Sequence, residues 1–99
     1  MSAVGFERAL ALLKYGEAVA RTGWNGVFPY RVDAGNYTPH SDIAKKFWGD
    51  DELVPYGPYI AMKTADGAVV PWLASQTDIL AEDWAVVNIK ELKKCLMKN

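Results

Sequence analysis

Tyr59-Ile60-Ala61-Met62-Lys63-Thr64-Ala65-Asp66-Gly67-Ala68-Val69-Val70-Pro71-Trp72-Leu73 is the stretch that decides the fold class. Two runs rich in β-formers flank Asp66-Gly67, a dipeptide suited to a tight reversal. The spacing predicts a hairpin of Tyr59–Ala65 and Ala68–Leu73. Downstream, Ser75-Gln76-Thr77-Asp78 has the pattern of a capping box, with Asp78 standing where Glu or Gln is usual. It predicts a short helix over 76–81. Asp83–Val87 reads as a last strand. Asn88 with Glu91 forms a second capping signature, opening a tail helix whose apolar stripe is Ile89, Leu92 and Leu96.

Upstream, Phe6, Ala9, Leu10 and Leu13 recur at helical spacing, Glu7, Arg8 and Lys14 fall off the stripe, and Gly16 supplies a stop. An amphipathic helix over about 4–15 follows. Ala18-Val19-Ala20 reads as a short strand over 17–23. Asn25-Gly26 offers the two positive-φ residues of a type I′ turn, so a first hairpin with 27–33 is expected. Pro29 inside that second strand argues for an edge position or a bulge. Residues 34–58 are the least regular, with Gly35, Pro39, Gly49, Pro55, Gly57, Pro58 and the acidic triplet Asp50-Asp51-Glu52. A short helix over Ile43–Trp48 is the one element expected there. Strands joined by tight turns predict an α+β domain: an antiparallel sheet of hairpins with the N-terminal helix packed on it.

The chain has 99 residues, room for one domain, with a core over about 4–87 and a basic tail or helix over 88–99. Hydrophobic residues make up 51% and aromatics 12%, more than a core this small readily covers. Burial against another subunit or a ligand would account for the surplus, as would an aromatic-rich core. A formal net charge of −1 gives no global field to draw DNA or a membrane surface. Lys90, Lys93, Lys94 and Lys98 make the tail basic, which reads as a solvated helix face. Cys95 is the single cysteine, so no intrachain disulfide can form and a reducing, cytoplasmic setting is expected. No leader or membrane-spanning run is evident.

Catalytic signals are lacking. His40 stands alone in the irregular segment, Cys95 has no nearby base, and neither nucleophile-elbow nor phosphate-loop patterns occur. Neither a metal nor a cofactor is expected, since adjacent acids such as Asp50-Asp51-Glu52 are ordinarily solvated. Binding signals are stronger. Trp24 stands beside Asn25 at the expected hairpin tip, where a ring can stack on a base and the amide can meet a base edge. Equally, Asn25-Gly26 could serve the turn alone while Trp24 packs on the first helix. In the second segment, Trp72 precedes a helix start whose first amides lack helical acceptors and can meet phosphate. Gln76 and Thr77 add donors there, and Asp78 could accept from a ribose hydroxyl. Plain capping by Ser75 and Asp78 is the structural alternative. Arg21, Arg31 and Lys63 are cations on expected strands, available as ligand-binding residues toward phosphate, with an ordinary surface position as the alternative.

Four segments taken together resemble a known family. They are Phe6-Glu7-Arg8-Ala9-Leu10, Arg21-Thr22-Gly23-Trp24-Asn25-Gly26, Tyr59 to Gly67, and Val70-Pro71-Trp72-Leu73-Ala74-Ser75-Gln76-Thr77-Asp78-Ile79-Leu80-Ala81-Glu82-Asp83-Trp84. They look like the phage and prophage domain family that includes the second type of Thoeris anti-defence protein. The likeness covers most of 4–87, with Ile79 where the family motif has Leu. It implies a non-catalytic sponge that sequesters cyclic ADP-ribose-type immune signals in the host bacterial cytoplasm. It implies homotetramers with ligand pockets between subunits, and some members also bind cyclic di- or trinucleotides at separate sites. It puts ligand contacts at Trp24, Asn25, Trp72, Gln76, Thr77 and Asp78, with Trp84 in the core. Two other classes remain open on the residues alone. One is a small nucleotide-processing enzyme using carboxylates such as Asp78 and Asp83. The other is a protein–protein inhibitor or structural module acting through the apolar segment 34–58.

Overall fold

The computed structural model describes residues 3–97. Helix α1 (Phe6–Lys14) forms as its periodicity predicts, with Ala9 and Leu13 fully buried. It ends in a Schellman turn: the Gly16 amide donates to Leu13 O at 3.0 Å and the Glu17 amide to Leu12 O at 2.9 Å. That turn needs a left-handed residue, and Gly16 supplies it at φ 102°.

The strands are antiparallel throughout, arranged as three small sheets. β1 (Val19–Ala20) pairs with β7 (Ala85–Val86). β2 (Phe28–Val32), β5 (Tyr59–Lys63) and β6 (Val69–Pro71) form a three-stranded sheet in the order β2-β5-β6. β3 (Gly35–Tyr37) pairs with β4 (Val54–Tyr56). Pro29 and Pro71 lie on the two edge strands of the central sheet, where a missing N–H costs no ladder bond on the outer side.

The hairpin β5–β6 is the one that the sequence announces. Its loop is one residue longer than a type I′ turn. The Gly67 amide donates to Thr64 O at 3.1 Å, the Thr64 amide bonds Ala68 O at 2.9 Å, and Gly67 alone takes positive φ, at 91°. This is a three-residue loop with a glycine bulge. The Thr64 hydroxyl donates to Asp66 and accepts from the Ala68 amide at 3.0 Å.

The first expected hairpin does not form. β1 hydrogen-bonds β7 and β2 hydrogen-bonds β5. No residue other than glycine has positive φ among the described residues, so Asn25 does not make a type I′ turn. The physical reason lies in Trp24. Its ring packs against the core, and the 21–26 connection becomes a bend that carries it inward. Val19, fully buried, gains a partner in Val86 instead.

Segment 34–58 is more ordered than its composition suggests. The β3–β4 pair brackets α2 (Asp42–Trp48), close to the expected Ile43–Trp48, with Ser41 Oγ accepting from the Ala44 amide as N-cap. Together they form a lobe attached where Val32 pairs with Tyr59, at one end of the β2–β5 ribbon. The other short elements match expectation. α3 (Gln76–Leu80) carries the Ser75/Asp78 capping box, and α4 (Ile89–Leu96) is capped by Asn88 Oδ1 accepting from the Glu91 amide at 3.1 Å.

The core is small. Ala9, Leu13, Val19 and Trp84 are each at 0% exposure, with Val4, Phe6, Trp24, Ile60 and Trp72 packed against them. Total accessible surface is 7273 Å², against about 5,600 Å² for a compact monomer of this mass. The radius of gyration is 16.1 Å, against about 13 Å for a globular chain this long. No described helix is long and apolar enough to cross a membrane.

Candidate ligand-binding site

Trp84 is the centre on which the two sequence-predicted segments converge. Trp24 meets it edge-on at 5.3 Å between ring centroids, and Trp72 does the same at 6.0 Å. Phe6, from α1, lies 5.6 Å from Trp84 and 6.3 Å from Trp72. Tilted and edge-on contacts of this kind favour the ring quadrupoles and fix the rings' orientation. Trp84 is wholly buried, whereas Trp24 and Trp72 are half-buried, each with part of its ring at the surface. The two rings therefore both brace the core and face outward. For Trp24 this gives weight to packing, against Trp84 and the core cluster around it.

A charged network ties the segments together. Arg21 directly follows β1, and the β1–β7 register brings it beside the strand's approach at Asp83. Arg21 Nε donates to Asp83 Oδ1 at 2.9 Å, and Nη1 to Asp78 Oδ1 at 3.1 Å. The second Asp78 oxygen accepts from the Ser75 amide at 3.3 Å, while Ser75 Oγ accepts from the Asp78 amide at 3.0 Å. Trp84 Nε1 donates to the Asp78 carbonyl at 2.9 Å. One residue, Asp78, thus caps α3, anchors Arg21 and satisfies the buried indole. Its carboxylate is engaged within the chain, so its first role is to position α3. The Arg21 guanidinium holds the Asp83 carboxyl below its usual pKa, mainly through their hydrogen bond, and the same bond raises the Arg21 pKa.

The remaining predicted residues divide. Asn25, Gln76 and Thr77 are exposed, with Gln76 and Thr77 in the first turn of α3, where helix geometry gives their amides no acceptor. Lys63 Nζ donates to Gly26 O at 2.7 Å and Thr64 O at 3.0 Å, which fastens the loop beside Asn25 to the central sheet. Arg31 stands apart from this cluster. It donates to Lys14 O at 3.3 Å, at the end of α1, and pairs with Asp33 at 3.6 Å. The structure thus gathers Arg21, Trp24, Trp72 and Asp78 around Trp84, and leaves Arg31 outside.

A second feature escaped the sequence reading. A recess of about 450 Å³ at the root of the lobe is lined by Val32, Asp33, Tyr37, His40, Tyr56 and Tyr59. His40 stacks on Tyr56 at 4.6 Å and 15°, and its amide donates to the Tyr56 hydroxyl at 3.2 Å. The lone histidine is therefore part of an aromatic wall. The spacing Tyr37-x-x-His40 and Tyr56-x-x-Tyr59 was its signal, hidden because the strand pairing that joins the two tyrosine segments crosses α2.

Residues 4–87 match the model of the Thoeris anti-defense 2-like domain. The chain belongs to that family. A protein of Bacillus phage SP01 named "Thoeris anti-defense 2" is 38% identical over 85 residues, spanning 86% of this chain and 96% of the relative. The family match takes in the Trp24 segment, the lobe and the Trp72–Trp84 segment, and ends just before α4.

Proposed function

We propose that this protein is a phage anti-defence protein that binds and sequesters a cyclic ADP-ribose-type immune signal without cleaving it, and so silences Thoeris defence. The observation that carries the reading is the extent of the family match, which runs through every element of the core. The 38% identity to a phage protein named for anti-Thoeris action supports it. The site chemistry is compatible. Half-buried Trp24 and Trp72 offer rings to an adenine, and the exposed Asn25, Gln76 and Thr77 offer donors and acceptors to ribose and phosphate. Arg21, though paired, carries a positive charge at the same cluster.

Sequestration works by mass action. A site with a dissociation constant near 1 nM, about 12 kcal/mol of binding free energy, keeps free signal below its effector's threshold when sites are in excess. Assembly as a homotetramer, with pockets between chains, is part of this reading. It suits the apolar surface that the chain leaves uncovered.

The test is recovery of the ligand. Protein is incubated with a cyclic ADP-ribose isomer, denatured by heat, and the supernatant chromatographed. Intact ligand returning in full supports sequestration; linear or hydrolysed product establishes a nucleotide-processing enzyme in its place. Thr77→Ala removes one exposed hydroxyl, and is expected to weaken binding roughly fivefold, the equivalent of one hydrogen bond of about 1 kcal/mol, with the melting temperature nearly unchanged.

A further inference from the structure

The recess at the root of the lobe is lined by different residues from those gathered around Trp84. Its volume of about 450 Å³ falls within the roughly 300–1,000 Å³ usual for small-molecule sites. Three of its rings pack on one another. Tyr37 lies 6.0 Å from Tyr56 and 6.1 Å from His40, tilted by 47° and 44°, and His40 stacks on Tyr56. The β3–β4 register sets Gly35 opposite Tyr56. Because Gly35 has no side chain, the Tyr37 ring folds across it toward Tyr56: a β-carbon there would sit 2.6 Å from the Tyr37 hydroxyl. The sheet supplies the rest of the lining, through the cross-strand partners Val32 and Tyr59 and the adjacent Asp33.

Charge decides what such a recess takes. Among the described residues, neither lysine nor arginine lines it, while Asp33 does. Residues 33–58 hold Asp33, Asp42, Asp50, Asp51 and Glu52 against Lys45 and Lys46, a net of −3 with His40 neutral. The nearest cation, Arg31, meets Asp33 only at 3.6 Å, with the two side chains 39% and 89% exposed, and so open an ion pair holds its partners weakly. Asp33 is therefore available to a ligand. A phosphate entering here meets a carboxylate and no countercharge. A cation meets the carboxylate together with the negative ring faces of tyrosines. Tyr37 and Tyr59 are each about half exposed, so the chain itself leaves ring surface uncovered.

We propose that this recess is an aromatic cage for an alkylated ammonium group, held among the rings of Tyr37, Tyr56 and Tyr59 with Asp33 supplying the countercharge at the rim. A quaternary ammonium is weakly hydrated and has no N–H to satisfy. It suits a lining of rings and one carboxylate better than a primary amine, which needs several acceptors. A free solute such as choline and a methylated lysine side chain share this chemistry. The cage needs no cyclic nucleotide and uses none of the residues around Trp84, so it stands or falls separately from the sequestration reading.

Titration of the full chain with choline tests it, read from the tyrosine ring resonances by nuclear magnetic resonance. Neohexanol, the uncharged carbon isostere of choline, is the control. Choline is expected to bind with a dissociation constant on the order of 1 mM, and neohexanol roughly tenfold more weakly, since it keeps the shape and loses the charge. Asp33→Asn and Tyr59→Leu, both at exposed positions, are each expected to weaken choline binding about threefold. Gly35→Ala, which pushes the Tyr37 ring aside, is expected to do the same. Unchanged near-ultraviolet dichroism of the Trp84 cluster shows that these variants stay folded. A peptide bearing trimethyl-lysine, run beside its unmodified form, separates the two sources: tighter binding than choline assigns the cation to a protein side chain, weaker binding to a free solute. The proposal is overturned if neither choline nor the methylated peptide shifts the tyrosine resonances, or if neohexanol binds as well as choline. It is also overturned if Asp33→Asn leaves choline binding unchanged, or if adenosine monophosphate shifts the same resonances at lower concentration than choline.

Discussion

The tryptophan-centred core and the lobe of residues 33–58 use similar residues to opposite ends. In the core, Trp84 is enclosed by Phe6, Trp24 and Trp72, and its N–H finds the Asp78 carbonyl. In the lobe, Phe47 and Trp48 stack edge-on with each other at 4.7 Å, yet both remain exposed. The difference teaches that one region completes its own packing and the other leaves its large apolar side chains uncovered within the chain. Long-range contacts from α1, β1 and β7 reach the core, while the lobe's main packing is between its own strands β3 and β4. A two-stranded ribbon with one short helix is marginal alone, and this one leaves Phe47 and Trp48 exposed.

The sharpest way to break the comparison is at its centre. Trp84→Ala removes a wholly buried indole and is expected to cost about 3–5 kcal/mol, a large share of the roughly 5–15 kcal/mol typical of a domain. Denaturant unfolding at micromolar concentration measures it. Trp24→Ala is expected to cost less, about 1.5–3 kcal/mol for a ring that is only half-buried. This loss of stability means that Trp24 cannot serve as a pure probe of ligand contact, and Thr77 is the cleaner one. Arg21→Ala is expected to lower the midpoint by a smaller amount again, since its partners are partly exposed and charged groups near water relax. At the far end of the scale, Phe47→Ser is expected to change unfolding of the dilute single chain by under about 0.5 kcal/mol. A large loss there would mean that the lobe is packed as tightly as the core.

Acid titration sharpens the same contrast. Asp83 has a lowered pKa in the folded chain, chiefly from the Arg21 hydrogen bond, and Asp66 has one chiefly from the Thr64 hydroxyl. A carboxyl with a lowered folded pKa stabilises the fold above its unfolded value, about 3.9 for Asp. That contribution is lost as pH falls through the folded value. Melting temperature is therefore expected to hold steady from neutrality down to about pH 5 and then to decline. The Asp83→Asn variant should show a shallower decline, measured by calorimetry across the acid range.

Much of this architecture was legible because its signals are local. Gly16 ends α1, Asp66-Gly67 reverses β5 into β6, and Ser75 with Asp78 starts α3, each through bonds spanning a few residues. The pairing of β1 with β7 was hidden, since it joins residues more than sixty positions apart and no pattern near Val19 points to Val86. Asn25-Gly26 misled for the same reason. A turn dipeptide reports what a backbone can do, while the core decides where Trp24 must go. At the site, the aromatic and helix-start residues were legible by type. What sequence could not show is that Asp78 also anchors Arg21, that Lys63 is engaged by the Gly26 and Thr64 carbonyls, that Arg31 lies apart, and that Tyr37, His40 and Tyr56 form one wall.

Sequestration requires that this chain hold a cyclic nucleotide signal tightly. Calorimetric titration of cyclic ADP-ribose isomers into the full-length protein tests it most directly. A saturable isotherm is expected for at least one isomer, with a dissociation constant in the nanomolar range, about 12 kcal/mol. Flat isotherms for every isomer, from a protein that melts cooperatively, would contradict it.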